Sequence, residues 1–230
     1  MPYAGVVGKK RGSRKRKRDK RSAKRKAQRK AHRGNRFSVS LQTLEIAKGH
    51  DGLLRGAPEP VIVLAAYMLE TGNARLVARA LHRVEVPKEF PCRVEPRGED
   101  LLTAYYTPAT PSAILVLGLA LEEDSGDGVR DVFAALEDAN SLSVWPQFFD
   151  VPAPLELAEL LAVKSSWQQS QRIDVMRGSG YLSERCVGDK WIGACAMVTP
   201  LEHRRSDRVR MHFVSADERN DWSAELAVHN

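Results

Sequence analysis

Between Lys9 and Arg36 the chain reads KKRGSRKRKRDKRSAKRKAQRKAHRGNR, 17 basic residues in 28 with a single acid, Asp19. Guanidinium forks pair bidentately with phosphate oxygens and ammonium groups act as point charges, so the chemistry on offer is recognition of a polyanion by its backbone. The residues that carry it are Arg14, Lys15, Arg16, Lys17, Arg18, Lys20, Arg21, Lys24, Arg25, Lys26, Arg29, Lys30 and Arg33. Each phosphate neutralised frees a condensed counterion, which makes such binding strong, salt-dependent and nearly blind to sequence. Ala23, Ala27 and Ala31 recur every four residues. A helix formed on a polyanion would align them in one small-residue stripe with basic residues on either side. Nucleic acid is the partner this composition favours. An anionic membrane surface fits less well, because the segment lacks the Trp, Phe and Leu side chains that an interfacial helix inserts. It also lacks aromatic residues for stacking single-stranded bases. A solubility or address tag is the remaining reading, with Lys15–Arg18 able to serve as a nuclear address in a eukaryotic host.

Carboxylates form the second group of candidates. The loop Glu122-Glu-Asp-Ser-Gly-Asp-Gly128 combines hard oxygen ligands with flexible glycines, as calcium requires with its six to eight oxygen ligands, although its spacing is not that of a twelve-residue helix–loop–helix site. Asp51, Glu59, Asp124, Asp127, Asp217 and Asp221 are the candidate metal ligands, with calcium the candidate ion. The competing reading makes them solvated turn residues, with Asp127 capping the helix that follows. Catalytic patterns are weaker. His50, His82, His203, His212 and His229 show no metal-binding pair spacing, Ser179 lacks the flanking pattern of a nucleophile elbow, and no phosphate-cradling glycine loop occurs. Cys92, Cys186 and Cys195 lack zinc spacing and read as reduced thiols; Cys186 or Cys195 could act as a nucleophile with a distant His, although a buried cysteine in a β core is the commoner case. Trp145, Trp167, Trp191 and Trp222 are too dispersed for a stacking platform and read as core or interface anchors.

The elements that must position these groups begin abruptly after Arg36. Phe37, Val39, Leu41, Leu44 and Ile46 mark a strand of mostly alternating apolar residues. Further strands are expected over 60–69, 74–86, 101–106, 113–121, 190–198, 208–215 and 222–228, although 74–83 is also compatible with a helix. Two helices are expected, over 129–139 and 154–164. Eight short strands bounded by Gly, Pro, Asp and Asn clusters indicate an eight-stranded antiparallel β-sandwich with two short helices. The expected organisation is a disordered basic N-terminal arm, residues 1–36, followed by an acidic β-sandwich domain, residues 37–230. Like-charge repulsion and the lack of apolar side chains leave the arm nothing to offset its conformational entropy.

In the stretch Asp51-Gly-Leu-Leu-Arg-Gly-Ala-Pro-Glu59-Pro60-Val-Ile-Val, an acidic-Pro step precedes an apolar strand. Phe213-Val-Ser-Ala-Asp217-Glu-Arg-Asn220-Asp221-Trp222 places one acid where a strand ends and another shortly before the next strand begins. These two loops resemble those of the C-two domain family, the calcium-dependent phospholipid-binding β-sandwich. The resemblance implies a sandwich over residues 37–228 with calcium bound at one rim. Glu59 stands where that family has Asp, Arg219 replaces the paired acid, and Trp222-Ser223 replaces an apolar-Gly step.

Charge divides the chain. Residues 1–36 hold 17 basic residues against one acid, and residues 37–230 hold 19 against 28, so the net +7 conceals a polycation joined to an acidic body. The longest apolar runs, Val61–Leu69 and Ala113–Leu121, fall well short of the ~20 residues needed to span a bilayer. The basic start has no apolar stretch of the kind a secretory signal needs. The expectation is an intracellular protein, cytoplasmic or associated with a nucleoid or nucleus. The leading functional expectation is a non-enzymatic binding protein whose arm engages nucleic acid while the β domain serves as an interaction module for a protein partner. Alternatives are a calcium-responsive module for anionic membranes, a coat-like shell protein packaging nucleic acid, and a hydrolase with an unrecognised site.

Overall fold

A computed structural model describes residues 35–49, 59–70, 73–96, 100–106, 113–137, 171–173, 181–201 and 206–230. Ten strands and two helices occur among them: β1 (Asn35–Lys48), β2 (Pro60–Glu70), β3 (Asn73–Arg83), β4 (Cys92–Val94), β5 (Asp100–Tyr106), β6 (Ala113–Glu122), α1 (Asp127–Ala135), β7 (Gln171–Ile173), α2 (Tyr181–Glu184), β8 (Lys190–Pro200), β9 (Ser206–Val214) and β10 (Asp221–His229). Eight of the strands are those expected from the sequence, and the segment over 74–83 is a strand. The three-residue strands β4 and β7 are additional. The helix expected over 154–164 lies outside the described residues. No helix among those described is long and apolar enough to cross a membrane.

The strands form two antiparallel five-stranded sheets. Sheet A runs β4-β1-β10-β9, with β5 also paired to β1, and sheet B runs β3-β2-β6-β8-β7. Arg36–Asn230 is one compact unit, in which the sheets also approach each other at both sides, β3 beside β5 and β8 beside β9. That closure shields edge strands which would otherwise offer unpaired backbone groups.

The two sheets differ in how many faces they bury. Sheet A turns Phe37, Val39, Leu41, Leu44 and Ile46 of β1, with Val209, Met211 and Phe213 of β9 and Trp222, Ala224, Leu226 and Val228 of β10, onto a core shared with sheet B. Its other face carries the polar residues of an alternating pattern, clearest in β9, where Arg208, Arg210 and His212 are exposed between buried neighbours. Sheet B is apolar on both faces. Ile62, Leu64 and Ala66 join the shared core, while Val61, Val63, Ala65 and Tyr67 pack with Leu117, Leu119 and Leu121 under Val129, Val132 and Leu136 at the α1 layer. Burial on both sides explains why β2 and β6 read as continuous apolar runs.

The break in alternation between Leu41 and Leu44 has a local cause. The pairing of β1 with β10 shifts register between Leu41 and Thr43, a bulge at Gln42 that returns the later apolar residues to the core face. A second local demand falls on β6. A Cβ on Gly118 would sit 2.4 Å from Met211 Sδ, so the absent side chain makes room for the methionine of the opposite sheet.

Candidate functional site

At the end of β6 the chain turns through residues 123–126 into α1. Gly126 has φ of 78°, and the Cβ of any other residue at Gly128 would lie 2.7–2.9 Å from the backbone of Cys186 and Val187. The two glycines therefore let this loop lie directly against the segment preceding β8. There Gly188, with φ of 82°, turns the chain so that Asp189 faces the loop. Asp189 Oδ1 accepts the backbone N–H groups of Asp124 (2.8 Å), Ser125 (2.6 Å) and Gly126 (2.9 Å), and Oδ2 accepts that of Val129 (2.8 Å). The Ser125 hydroxyl donates as well, at 3.2 Å. Burial pushes this carboxyl up, but the N–H groups of Ser125, Val129, Gly126 and Asp124 together outweigh it and hold it at about 2.

This arrangement replaces the expected helix cap. Asp127 is the first residue of α1, pairs with Arg130, and does not cap; the cap position is Gly126, and the acceptor for the helix N-terminus is Asp189 from β8's approach. The loop turns N–H donors inward onto an internal carboxylate, the opposite polarity to a loop that turns oxygens inward onto a cation.

The other end of α1 is held by a cation. Arg79 of β3 donates to the Phe133 carbonyl, pairs with Glu137 and stands 4.3 Å from the centroid of the Phe133 ring. The Tyr67 hydroxyl donates to the Leu136 carbonyl at 3.2 Å, and burial raises its phenol above the usual range. An acid at the N-terminus and a base at the C-terminus both complement the helix dipole. Each belongs to a different strand of sheet B, or to its approach, so α1 is fixed to that sheet at two points.

The β9–β10 turn holds the other acidic candidates. Asp217 accepts from the Ser215 hydroxyl at 2.5 Å and from the Arg219 N–H at 3.2 Å. The Ser215 hydroxyl lowers the Asp217 carboxyl below its usual range, opposed by burial and assisted by the Arg219 N–H and the Lys190 charge. Asp221 Oδ1 lies 2.7 Å from His212 Nε2 on the outer face of sheet A.

Strand register collects these acids at one end of the sandwich. Pro60 pairs with Glu122, Glu122 with Lys190, and Val61 with Arg83. A Cβ on Gly193 would lie 3.3–3.4 Å from Val214 and Phe213, which places the β9–β10 turn at the same end. Glu59, Asp124, Asp127, Asp217 and Asp221 thus share a rim, while Asp51 lies outside the described residues. Their surroundings are already engaged. Arg83 grips Glu123 and sits in the field of Glu59 and Asp189, Asp127 pairs with Arg130, and Asp221 meets His212. Among the described residues, no group of three or more His, Cys, Asp or Glu side chains is arranged to hold a metal ion.

The nucleophile candidates are equally constrained. Cys186 and Cys195 are buried thiols outside any disulfide. Burial and the neighbouring Asp189 charge push Cys186 up to about 12, far from the thiolate that attack requires. Trp222 is fully buried, the core anchor expected of it, and His212 is a face residue of β9.

Asp189, Arg79 and Tyr67 are the residues that sequence reasoning missed. Gly188-Asp189 before an apolar strand signals a turn, but nothing in its spacing relates it to residues 124–129. The arm residues from Arg14 to Arg33 lie outside the described residues. No protein-family model matches the chain, and comparison with curated proteins and with solved structures gives no significant match.

Proposed function

We propose that this is a non-enzymatic binding protein in which the arm engages nucleic acid through phosphate contacts and the β domain serves as a rigid interaction module. The observation that carries this reading is the charge partition, 17 basic residues and one acid in residues 1–36 against 19 and 28 in the rest. Phosphate chemistry matches an Arg-rich segment of that density, and the acidic body opposes nonspecific collapse onto the same polyanion. The domain supports the module role through its construction, with α1 fixed at both ends and the sandwich closed at both sides.

The test is a salt titration of duplex binding by the full chain and by a variant with Arg29, Lys30 and Arg33 changed to Ala. Three lost phosphate contacts should flatten the slope of log K against log salt by about 3, equally for unrelated sequences. An unchanged slope would remove the arm from the interface.

A calcium-responsive module related to the C-two domain family is the second reading, favoured by the collection of five candidate acids at one rim. Against it stand the cations and N–H groups that already neutralise that rim. The expected result is one melting temperature in calcium, magnesium and chelator. A calcium-selective rise that disappears with Asp217→Asn and Asp221→Asn would establish the metal rim, since a ligand bound only to the folded state must raise stability.

A further inference from the structure

We propose that the β domain takes a fixed polarity on nucleic acid, with the end at which β1 begins set beside the phosphates and the acidic rim turned away; the inference rests on the arm reading and deepens it. Strand pairing defines the two ends. At the first, Ser38 pairs with His229 and His229 with Ser206, while in the other sheet Leu69 pairs with Ala113 and Ala113 with Pro200. The Asn230 side-chain amide donates to the Pro200 carbonyl at 2.9 Å, which brings these ends of sheets A and B together. At the second, Lys48 pairs with Asp221 and Glu122 with Lys190, beside the rim acids. β1 runs 14 residues from one end to the other, which with its bulges is about 40 Å.

Charge differs between the ends. At the first, Arg36, Arg75, Arg204 and Arg205 are matched by Glu70, Asp100, Glu202 and Asp207, positions set by the strand ends and by the chain joining β8 to β9. At the rim, Glu123, Asp189 and Glu218 join Glu59, Asp124, Asp127, Asp217 and Asp221, and the bases of the same strand ends and loops are Lys48, Arg83, Arg130, Lys190 and Arg219. Each ion pair there cancels one carboxylate, and the remainder is negative. Connectivity then decides which end meets the polyanion. Arg33 lies three residues before Arg36, at most about 11 Å of extended chain. A phosphate held by Arg33 is therefore within one or two Debye lengths of the balanced end, about 8 Å each at physiological salt, and several from the rim. Turning the domain over would press carboxylates against phosphates and oppose the attraction exerted by the arm.

Binding of the full chain to a short labelled duplex tests this, using two variants with the same change in net charge. Arg75→Glu alters an exposed residue at the balanced end, and Arg130→Glu an exposed one at the rim. Arg75→Glu should weaken binding about threefold at low salt and less as salt rises, while Arg130→Glu binds as the parent does. Melting curves matching the parent chain confirm that both variants are folded. A nitroxide attached to the duplex gives a second readout on the parent chain itself. It should broaden the amide signals of Arg75 and Ser206 and spare those of Gly126 and Glu218. Equal effects of the two substitutions, or broadening at both ends, would show a domain swinging freely on its arm; the polarity is then wrong and the arm reading stands. If the variant with Arg29, Lys30 and Arg33 changed to Ala binds as tightly as the parent, the arm reading fails and the polarity with it.

Discussion

Replacing Asp189 by alanine is expected to lower the melting temperature by about 6–12 °C, the largest effect of any single side chain at the loop end. Its carboxylate is the shared acceptor of four backbone N–H groups from residues 124–129. Losing a conventional helix cap costs about 1 kcal/mol, and charge-assisted hydrogen bonds are worth about 1.5–3 kcal/mol each when nothing replaces them. Water reaches part of this loop, so the sum is discounted to about 3 kcal/mol, and one kcal/mol moves a domain of this size by about 2–4 °C. The dependence on pH has a definite sign. The folded carboxyl titrates at about 2, below its ordinary value of 3.8, so its contribution is complete above the ordinary value and is lost as pH falls toward 2. The gap in melting temperature between parent and Asp189→Asn should therefore be widest near neutrality and should close between about pH 4 and 2. A gap independent of pH would mean that packing, and not the charge, is what Asp189 contributes.

Deleting residues 1–35 should reduce nucleic-acid affinity by about a hundredfold or more at moderate salt, because the remaining chain holds 20 basic residues against 28 acidic ones. The free energy of nonspecific binding comes almost wholly from counterion release, and the positive density is confined to the removed segment. The sandwich should stay folded, since among the described residues no core residue precedes Phe37. Circular dichroism and melting of the truncated protein, beside fluorescence anisotropy on a labelled oligonucleotide, separate the two outcomes. Equal affinity before and after deletion would overturn the proposed function.

Most strands were legible because their signals are local. Alternation in β9 reports a sheet with one wet face, and the unbroken apolar runs of β2 and β6 report strands covered on both sides. The phase slip after Leu41 was visible as imperfect alternation, though only the pairing with β10 identifies it as a bulge. The ambiguity over 74–83 arose from Ala and Leu, which suit either structure, and was resolved by the ladder with β2 that no local propensity encodes.

Composition and periodicity by themselves determined that this chain is a polycation joined to an acidic, mainly β body, because charge and alternation are properties of neighbouring residues. Tertiary structure decided the chemistry of the loops. An acidic loop next to a helix looks alike whether it faces a cation, solvent or another carboxylate, and the choice was made by Asp189, more than sixty residues downstream of Asp124. Likewise, Arg79 reaches the end of α1 from across sheet B, and the pairing of Arg210 with Glu45, 165 residues apart in sequence, follows from strand order. Contacts between residues distant in sequence are made by sheet pairing, whose register is a global property of the fold.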